Sequence, residues 1–423
     1  MVLAAQAGVA LIGILALRLY TGFVAPAVFG EINLILSALG LGLQLFVAGF
    51  TAALLRFYTE AESRGAGEEF TRDTMAWALR ATATLAGALL VVLIPLRVAG
   101  IVACSLLTLA AGVLWLFAMT VRNVLLSRIQ AQRRQTRYAT LQAIEALLLV
   151  GVTVLALHFA HSVESFLIGQ TLAIGLFLAI VLMVEPGAQG ALRRFWSASG
   201  ASFGAKAWSY GAPFAPMSLL SWLANLGDRY TLAILLGAGA AGRYIAPFSI
   251  ASRGMLLTNS ALSDLFRPIL FDAENRGDAR AARTTFSRWL ICSGAVSMVG
   301  VAVVSVAGSL IGRLLLAPEY RAGAVHIMIW VSLGYTIAGL TQVVENRLLS
   351  LGYSARLLLP MILGATANIV FSVILIRSNG ILGAAQATCA SFAVQNLATI
   401  GFLLYAFRHR KAGNAPEARI EPA

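Results

Sequence analysis

Asp228 and Arg229 stand side by side in the stretch Ser218–Gly242, SLLSWLANLGDRYTLAILLGAGAAG, which is otherwise apolar enough to cross a bilayer. A charge in hydrocarbon costs about 2.5–3.5 kcal/mol on insertion scales, so such residues normally face a partner or a water-filled cavity. Wound into a helix, Ser218, Ser221, Asn225, Asp228 and Arg229 recur at steps of three and four and share one face, with Leu219, Leu220, Leu223 and Leu226 mostly turned away. That face should line something wet. A guanidinium placed there can grip phosphate oxygens bidentately. The plainer alternative is that Asp228 neutralises Arg229 and the pair closes a helix at the membrane surface.

Other residues with chemical potential point nowhere in particular. Gly237-x-Gly239-x-x-Gly242 fits the dinucleotide fingerprint literally, but that fingerprint needs a preceding strand, and here the glycines form a turn between two apolar runs. His158 and His161 could share a helical face, yet no further metal ligand converges on them. Glu145 lies inside an apolar run, where pairing with Arg80 or Arg122 is the simplest expectation. Cys104, Cys292 and Cys389 sit in apolar surroundings without ligand spacing. No nucleophile–base set, acidic metal cluster or Walker loop is present, so the chain is expected to be neither an enzyme nor an ATP-driven pump, and to need no cofactor or metal.

The elements that carry these residues are set by composition. With 59% hydrophobic and 12% charged residues over 423 positions, and a mean hydropathy of +0.83, the chain is an all-α polytopic membrane protein. The net charge of +13 is scattered between apolar runs instead of forming one patch, which argues for membrane topology and against a nucleic-acid partner. Spans of about 20 apolar residues are expected near 2–17, 29–55, 75–96, 99–121, 139–159, 163–184, 212–237, 243–263, 288–312, 324–344, 357–376 and 381–407. Two of them carry polar stripes: Asn33, Ser37, Gly40, Gln44 and Thr51 on the second, and Ser249, Ser252, Asn259 and Ser263 on the eighth. Such stripes read as faces turned to a shared interior.

Twelve spans put both termini on one side. On that arrangement 24 of the 31 Lys and Arg residues share the side of the termini, while Arg18, Arg97, Arg229, Arg243, Arg313, Arg321 and Arg377 lie opposite. The positive-inside rule then makes both termini cytoplasmic. Following the apolar runs, residues 1–184 form an N-terminal six-helix lobe and 212–407 a C-terminal one. Residues 185–211, with the LRRFW segment and Trp208, form a cytoplasmic surface linker, and 408–423 a basic cytoplasmic tail. The first apolar run follows Met1 directly and reads as a span, not as a cleaved leader. The longest connection elsewhere, around Arg267 to Arg288, is short and mixed in charge.

The halves share short strings. Asn123-Val-Leu-Leu-Ser127 is matched 223 positions later by Asn346-Arg-Leu-Leu-Ser350, and Arg18-Leu-Tyr20-Thr21 is answered by Arg229-Tyr230-Thr231 211 positions later. These matches favour two pseudo-symmetric lobes in parallel orientation around a central cavity, with Arg18 and Arg229 in equivalent places.

Three stretches carry a family likeness: Arg18-Leu-Tyr-Thr-Gly-Phe through Phe29-Gly30, Asp228-Arg229 through Gly242-Arg-Tyr244, and Ala317-Pro-Glu-Tyr320. Over nearly its whole length the chain resembles the polysaccharide-flippase branch of the multidrug/oligosaccharidyl-lipid/polysaccharide exporter superfamily. The resemblance implies movement of an undecaprenyl-diphosphate-linked oligosaccharide across the bacterial inner membrane by alternating access, in surface-polysaccharide or lipopolysaccharide assembly. It also implies membrane lipids and glycan polymerase machinery as partners. Two extra helices typical of lipid II flippases are absent here, as is the acidic residue that drug exporters commonly carry in their first helix. On this reading Arg18 and Arg229 contact the diphosphate, Asp228 orients Arg229, and Asn33, Gln44, Ser221, Asn225 and Asn259 meet sugar hydroxyls. The alternative within the superfamily is a drug or small-molecule antiporter; a glycan polymerase or ligase, which needs a large outward loop, is the rival from another class.

Overall fold

The structure, a computed structural model, describes residues 2–99, 105–185, 189, 209–211 and 214–411. Among these there is no β-strand, and the long elements are all α-helices: α1 (Val2–Phe23), α2 (Pro26–Phe46), α3 (Ala48–Ser63), α4 (Gly67–Val98), α5 (Leu106–Ala131), α6 (Gln135–Phe159), α7 (Val163–Val184), α8 (Phe214–Leu236), α9 (Ala238–Asn275), α10 (Ala279–Leu315), α11 (Ala324–Ser350), α12 (Leu358–Asn379) and α13 (Ile381–Lys411). Helix is what a bilayer demands, because each backbone N–H and C=O must find its partner within the segment. Nine described helices, α2, α4 to α7 and α10 to α13, are long and apolar enough to cross a membrane. Helices α8 and α9, which carry polar stripes, are not among the nine. Cys104, the LRRFW segment, Trp208 and the tail from 412 onward lie outside the described residues.

Three expectations about connections change. The apolar run at 29–55 is broken at Val47 into α2 and α3, yet the break leaves its backbone satisfied: Val47 N–H donates to Leu43 C=O at 2.9 Å and Phe50 N–H to Val47 C=O at 3.0 Å. It is a kink. The connection around Arg267 to Arg288 is almost wholly helical, since α9 runs to Asn275 and α10 starts at Ala279. At about 1.5 Å per residue, helices of 38 and 37 residues are far longer than the roughly 30 Å hydrocarbon needs, so their charged ends can extend beyond it. Gly277, with φ at 72°, makes the turn, and the Asp278 carboxylate caps α10 by accepting from Ala281 N–H at 2.8 Å. The glycine-rich turn is likewise shorter than expected. Gly237 alone (φ 87°) separates α8 from α9, and Gly239 and Gly242 lie inside α9.

The chain divides into two compact units, Met1–Leu219 and Leu220–Ala423. In the first, α5 is the most enclosed span, with 50% of its apolar window buried, and Leu116, Val124 and Leu125 on it pack with Leu54, Met75 and Phe177. Gly169 lets α7 approach α6 closely: a Cβ there would lie 2.8 Å from the Thr153 Cα. One charge pair inside this unit links two helices. Arg122 on α5 holds Glu145 on α6 through two bonds, Nε to Oε1 at 2.7 Å and Nη2 to Oε2 at 2.6 Å, as the sequence predicts.

In the second unit α11 is the central span, 61% buried over its apolar window, and α9, α10 and α13 pack around it. Arg347 of α11 forms an ion pair with Glu274 of α9, both side chains being buried. Removing one member strands the other charge, at a cost of about 3–5 kcal/mol, whereas replacing both by apolar residues of similar size is close to neutral. Arg347→Ala should therefore lower the thermal unfolding midpoint of the purified protein sharply. The double substitution Arg347→Met with Glu274→Leu should restore most of the loss, and scanning fluorimetry in detergent reads both.

Candidate functional site

Asp228 is the most enclosed carboxylate of the apolar helices, 1% exposed on α8. Three donors converge on it. Its Oδ1 accepts from the Arg229 backbone N–H at 2.8 Å, while Oδ2 accepts from the Tyr244 hydroxyl of α9 and from the Thr388 hydroxyl of α13 at 2.8 Å. One side chain thus joins three helices. Close by, the Asn368 amide of α12 donates to Ser391 Oγ at 3.3 Å, and Ser391 donates to the Thr388 carbonyl at 2.9 Å. The Asn368 Oδ1 and the Ser372 hydroxyl are buried without a hydrogen-bond partner. An acidic group ringed by hydroxyl and amide oxygens can hold a proton or a small hard cation. Among the described residues no three His, Cys, Asp or Glu side chains gather as a metal site.

Arg229 is not ion-paired to this carboxylate. Its guanidinium carbon lies 4.7 Å from the centre of the Phe248 ring, and its buried Nε has no hydrogen-bond partner. Cation–π contact of this kind contributes about 0.5–2 kcal/mol and orients the planar fork without using its N–H donors. Phe248 continues an aromatic row, with Tyr335 at 5.9 Å and Phe392 a further 5.6 Å on.

The row ends at a cavity of about 300 Å³ within the second unit, lined by Ser221, Asn225, Asn259, Tyr335, Phe392 and Gln395 among others. Here the structure brings together three sequence-predicted residues. Asn225 turns its amide back to the Ser221 carbonyl at 2.7 Å, and Asn259, buried, donates to the Tyr335 carbonyl at 3.3 Å while its Oδ1 has no partner. Asp228 is not on the lining; it stands behind it, in the helix contacts.

In the first unit the predicted residues do not gather in a comparable site. Arg18 is half-buried on α1, Asn33 spends its amide on its own helix through the Phe29 carbonyl at 2.8 Å, and Gln44 is exposed on α2. The sequence reading missed Tyr244, Thr388 and Asn368, because their partners stand 16, 160 and 23 positions away. It also missed Glu345 and Gln395 of the cavity. Glu345 had a signal, since it directly precedes the repeated Asn346-Arg-Leu-Leu-Ser350 string.

No curated protein sequence matches the chain. Among solved structures, the fold is similar to that of the lipid II flippase MurJ in an inward closed conformation, with a TM-score of 0.73, 12% identity, and 97% of this chain and 90% of that chain covered. It is also similar to an inward-facing multidrug resistance MATE family transporter of the MOP superfamily (TM-score 0.67, 14% identity, 99% and 96% covered). A third is a mutant form of the Vibrio cholerae MATE transporter VcmN (0.60, 15%, 96% and 94%). The profile of the family described as polysaccharide biosynthesis protein matches residues 1–274, from α1 through nearly all of α9, and the chain belongs to that family.

Proposed function

We propose that this protein is a non-enzymatic flippase that moves an undecaprenyl-diphosphate-linked oligosaccharide across the bacterial inner membrane, by alternating access, for surface polysaccharide such as lipopolysaccharide. Family membership and a fold shared with a lipid II flippase support the class. The observation that carries the substrate chemistry is Arg229: a guanidinium held by a ring, its Nε–H unanswered, next to a row leading to a polar cavity. Such a group suits a diphosphate, which cannot enter hydrocarbon uncompensated. Arg18 is proposed to contribute the same chemistry from α1, with Asn33 and Gln44 meeting sugar hydroxyls. Counting α2 and α3 as one kinked crossing gives twelve crossings in two six-helix lobes, with the basic tail cytoplasmic beside glycan polymerase machinery.

A strain lacking the gene should accumulate lipid-linked repeat units on the cytoplasmic leaflet, measured by leaflet-selective labelling. Unchanged leaflet distribution with altered susceptibility to cationic drugs would favour an antiporter. Within that strain, Arg229→Ala should abolish export while membrane insertion persists, and Arg229→Lys should keep part of it, because an ammonium retains the charge but lacks the fork. Normal export by the double variant Asp228→Asn with Arg229→Gln would exclude direct contact between Arg229 and substrate.

Asp228→Asn should act differently from either. Its amide keeps the Arg229 N–H on its oxygen only by placing its NH2 where Tyr244 and Thr388 donate, so both hydroxyls must turn to accept and lose a charged acceptor, at a cost of about 1–3 kcal/mol. The unfolding midpoint should therefore fall, as scanning fluorimetry in detergent would read.

A further inference from the structure

The cavity of the second unit has a property that general polarity does not explain: it holds a carboxylate that no cation answers. Glu345, on α11, lines it, and this carboxylate forms no ion pair among the described residues; Oε1 accepts only an amide hydrogen bond, from Gln395 Nε2 at 3.2 Å. Arg122, at the matching place of the first-unit repeat string, has its charge answered by Glu145. Asn259 is also on the lining, with its buried Oδ1 turned against Gly339 of α11. Polar groups in native proteins are nearly always hydrogen-bonded, so a cavity-lining carboxylate that receives one amide donor points to a ligand carrying further donors.

Two glycines make room for these side chains. A Cβ on Gly339 would lie 2.5 Å from Asn259 Oδ1 and 2.8 Å from its Cγ, and a Cβ on Gly364 would lie 2.8 Å from Gln395 Oε1 and 3.0 Å from its Cβ. Neither contact is tolerable without moving the amide. Two helices therefore give up a side chain where an amide of the cavity lining packs against them. Tyr335 and Phe392 add ring faces, their centroids 5.6 Å apart.

Resting on the flippase reading, we propose that this cavity is a monosaccharide subsite that reads one neutral, hydroxyl-bearing sugar of the transported glycan. The Glu345 carboxylate accepts from adjacent hydroxyls of the ring, and the aromatic faces take the apolar C–H side of the pyranose. A volume of about 300 Å³ has room for one sugar unit. An unpaired carboxylate selects against uronic acids and other anionic sugars by charge repulsion. Glu345 and Gln395 are thus specificity residues, distinct from the guanidinium proposed for the diphosphate.

The test uses the full-length protein in nanodiscs and saturation-transfer NMR with methyl glycosides of glucose, galactose, mannose and N-acetylglucosamine, with glucuronic acid and tetraphenylphosphonium as comparison probes. At least one neutral glycoside should bind, glucuronic acid should not, and affinity should fall tenfold or more in Glu345→Gln and in Gly364→Ala. Phe392→Leu, which keeps the core apolar, should weaken the same signal. The proposal is overturned if no neutral glycoside binds, if binding survives in every variant that retains the wild-type unfolding midpoint, or if tetraphenylphosphonium alone binds and is lost in Glu345→Gln. The leaflet assay on the deletion strain separates the two readings. Unchanged leaflet distribution removes the flippase reading, whereas altered distribution that Glu345→Gln fully corrects removes only the subsite.

Discussion

A charge inside an apolar helix has to be answered by the protein, because lipid cannot do it, and the second unit is organised around how that requirement is met. The Asp228 carboxylate is answered by three donors from α8, α9 and α13. The Glu145 carboxylate in the first unit is answered by a bidentate guanidinium. Glu345 has one amide, and Arg229 has a ring face that occupies none of its donors. This ordering separates structure from function. Groups whose hydrogen-bonding capacity is used up hold helices together, while groups whose charge is tolerated but whose donors or acceptors stay open are the ones a polar substrate can reach.

Asp228 and Arg229 illustrate the difference within two residues. Adjacent positions on a helix point about 100° apart, so the carboxylate turns into the helix contacts and the guanidinium toward Phe248. Neutralising one another would have used both. Instead the backbone N–H of Arg229 serves the carboxylate and its side chain stays available. The cost of half-burying that cation is offset by the aromatic row, a contact that stabilises charge without satisfying hydrogen bonds.

What the sequence made legible follows from the same physics. Helical period and hydropathy expose the spans, and a polar stripe on α8 and α9 exposes Ser221, Asn225 and Asn259, because these signals are local. The same period marks Asn33 and Gln44 equally, yet Asn33 satisfies itself on Phe29, and no stripe reveals whether an amide is already spent. Tyr244 and Thr388 are ordinary residues of apolar helices until the fold brings them to one carboxylate, so no sequence window holds their role. Glu345 sits just beyond the expected end of its span at 344, and was hidden by an end drawn from hydropathy; the structure continues that helix to Ser350. The 267–288 connection hid its helices for the opposite reason. Its charges lower the hydropathy, but charged residues are good helix formers once beyond the hydrocarbon.

The glycines of α11 and α12 show how a polar cavity can exist inside a helix bundle without loosening it. Membrane helices associate largely through close packing, and small residues are the usual means of bringing backbones together. Gly169 does that in the first unit, where its absent Cβ is replaced by the backbone of α6. Gly339 and Gly364 leave the same space, but an amide fills it. Each amide is then braced by a helix surface and needs no second polar partner to hold its place. Close packing, the feature that would otherwise exclude a polar ligand, is here what positions the groups able to bind one.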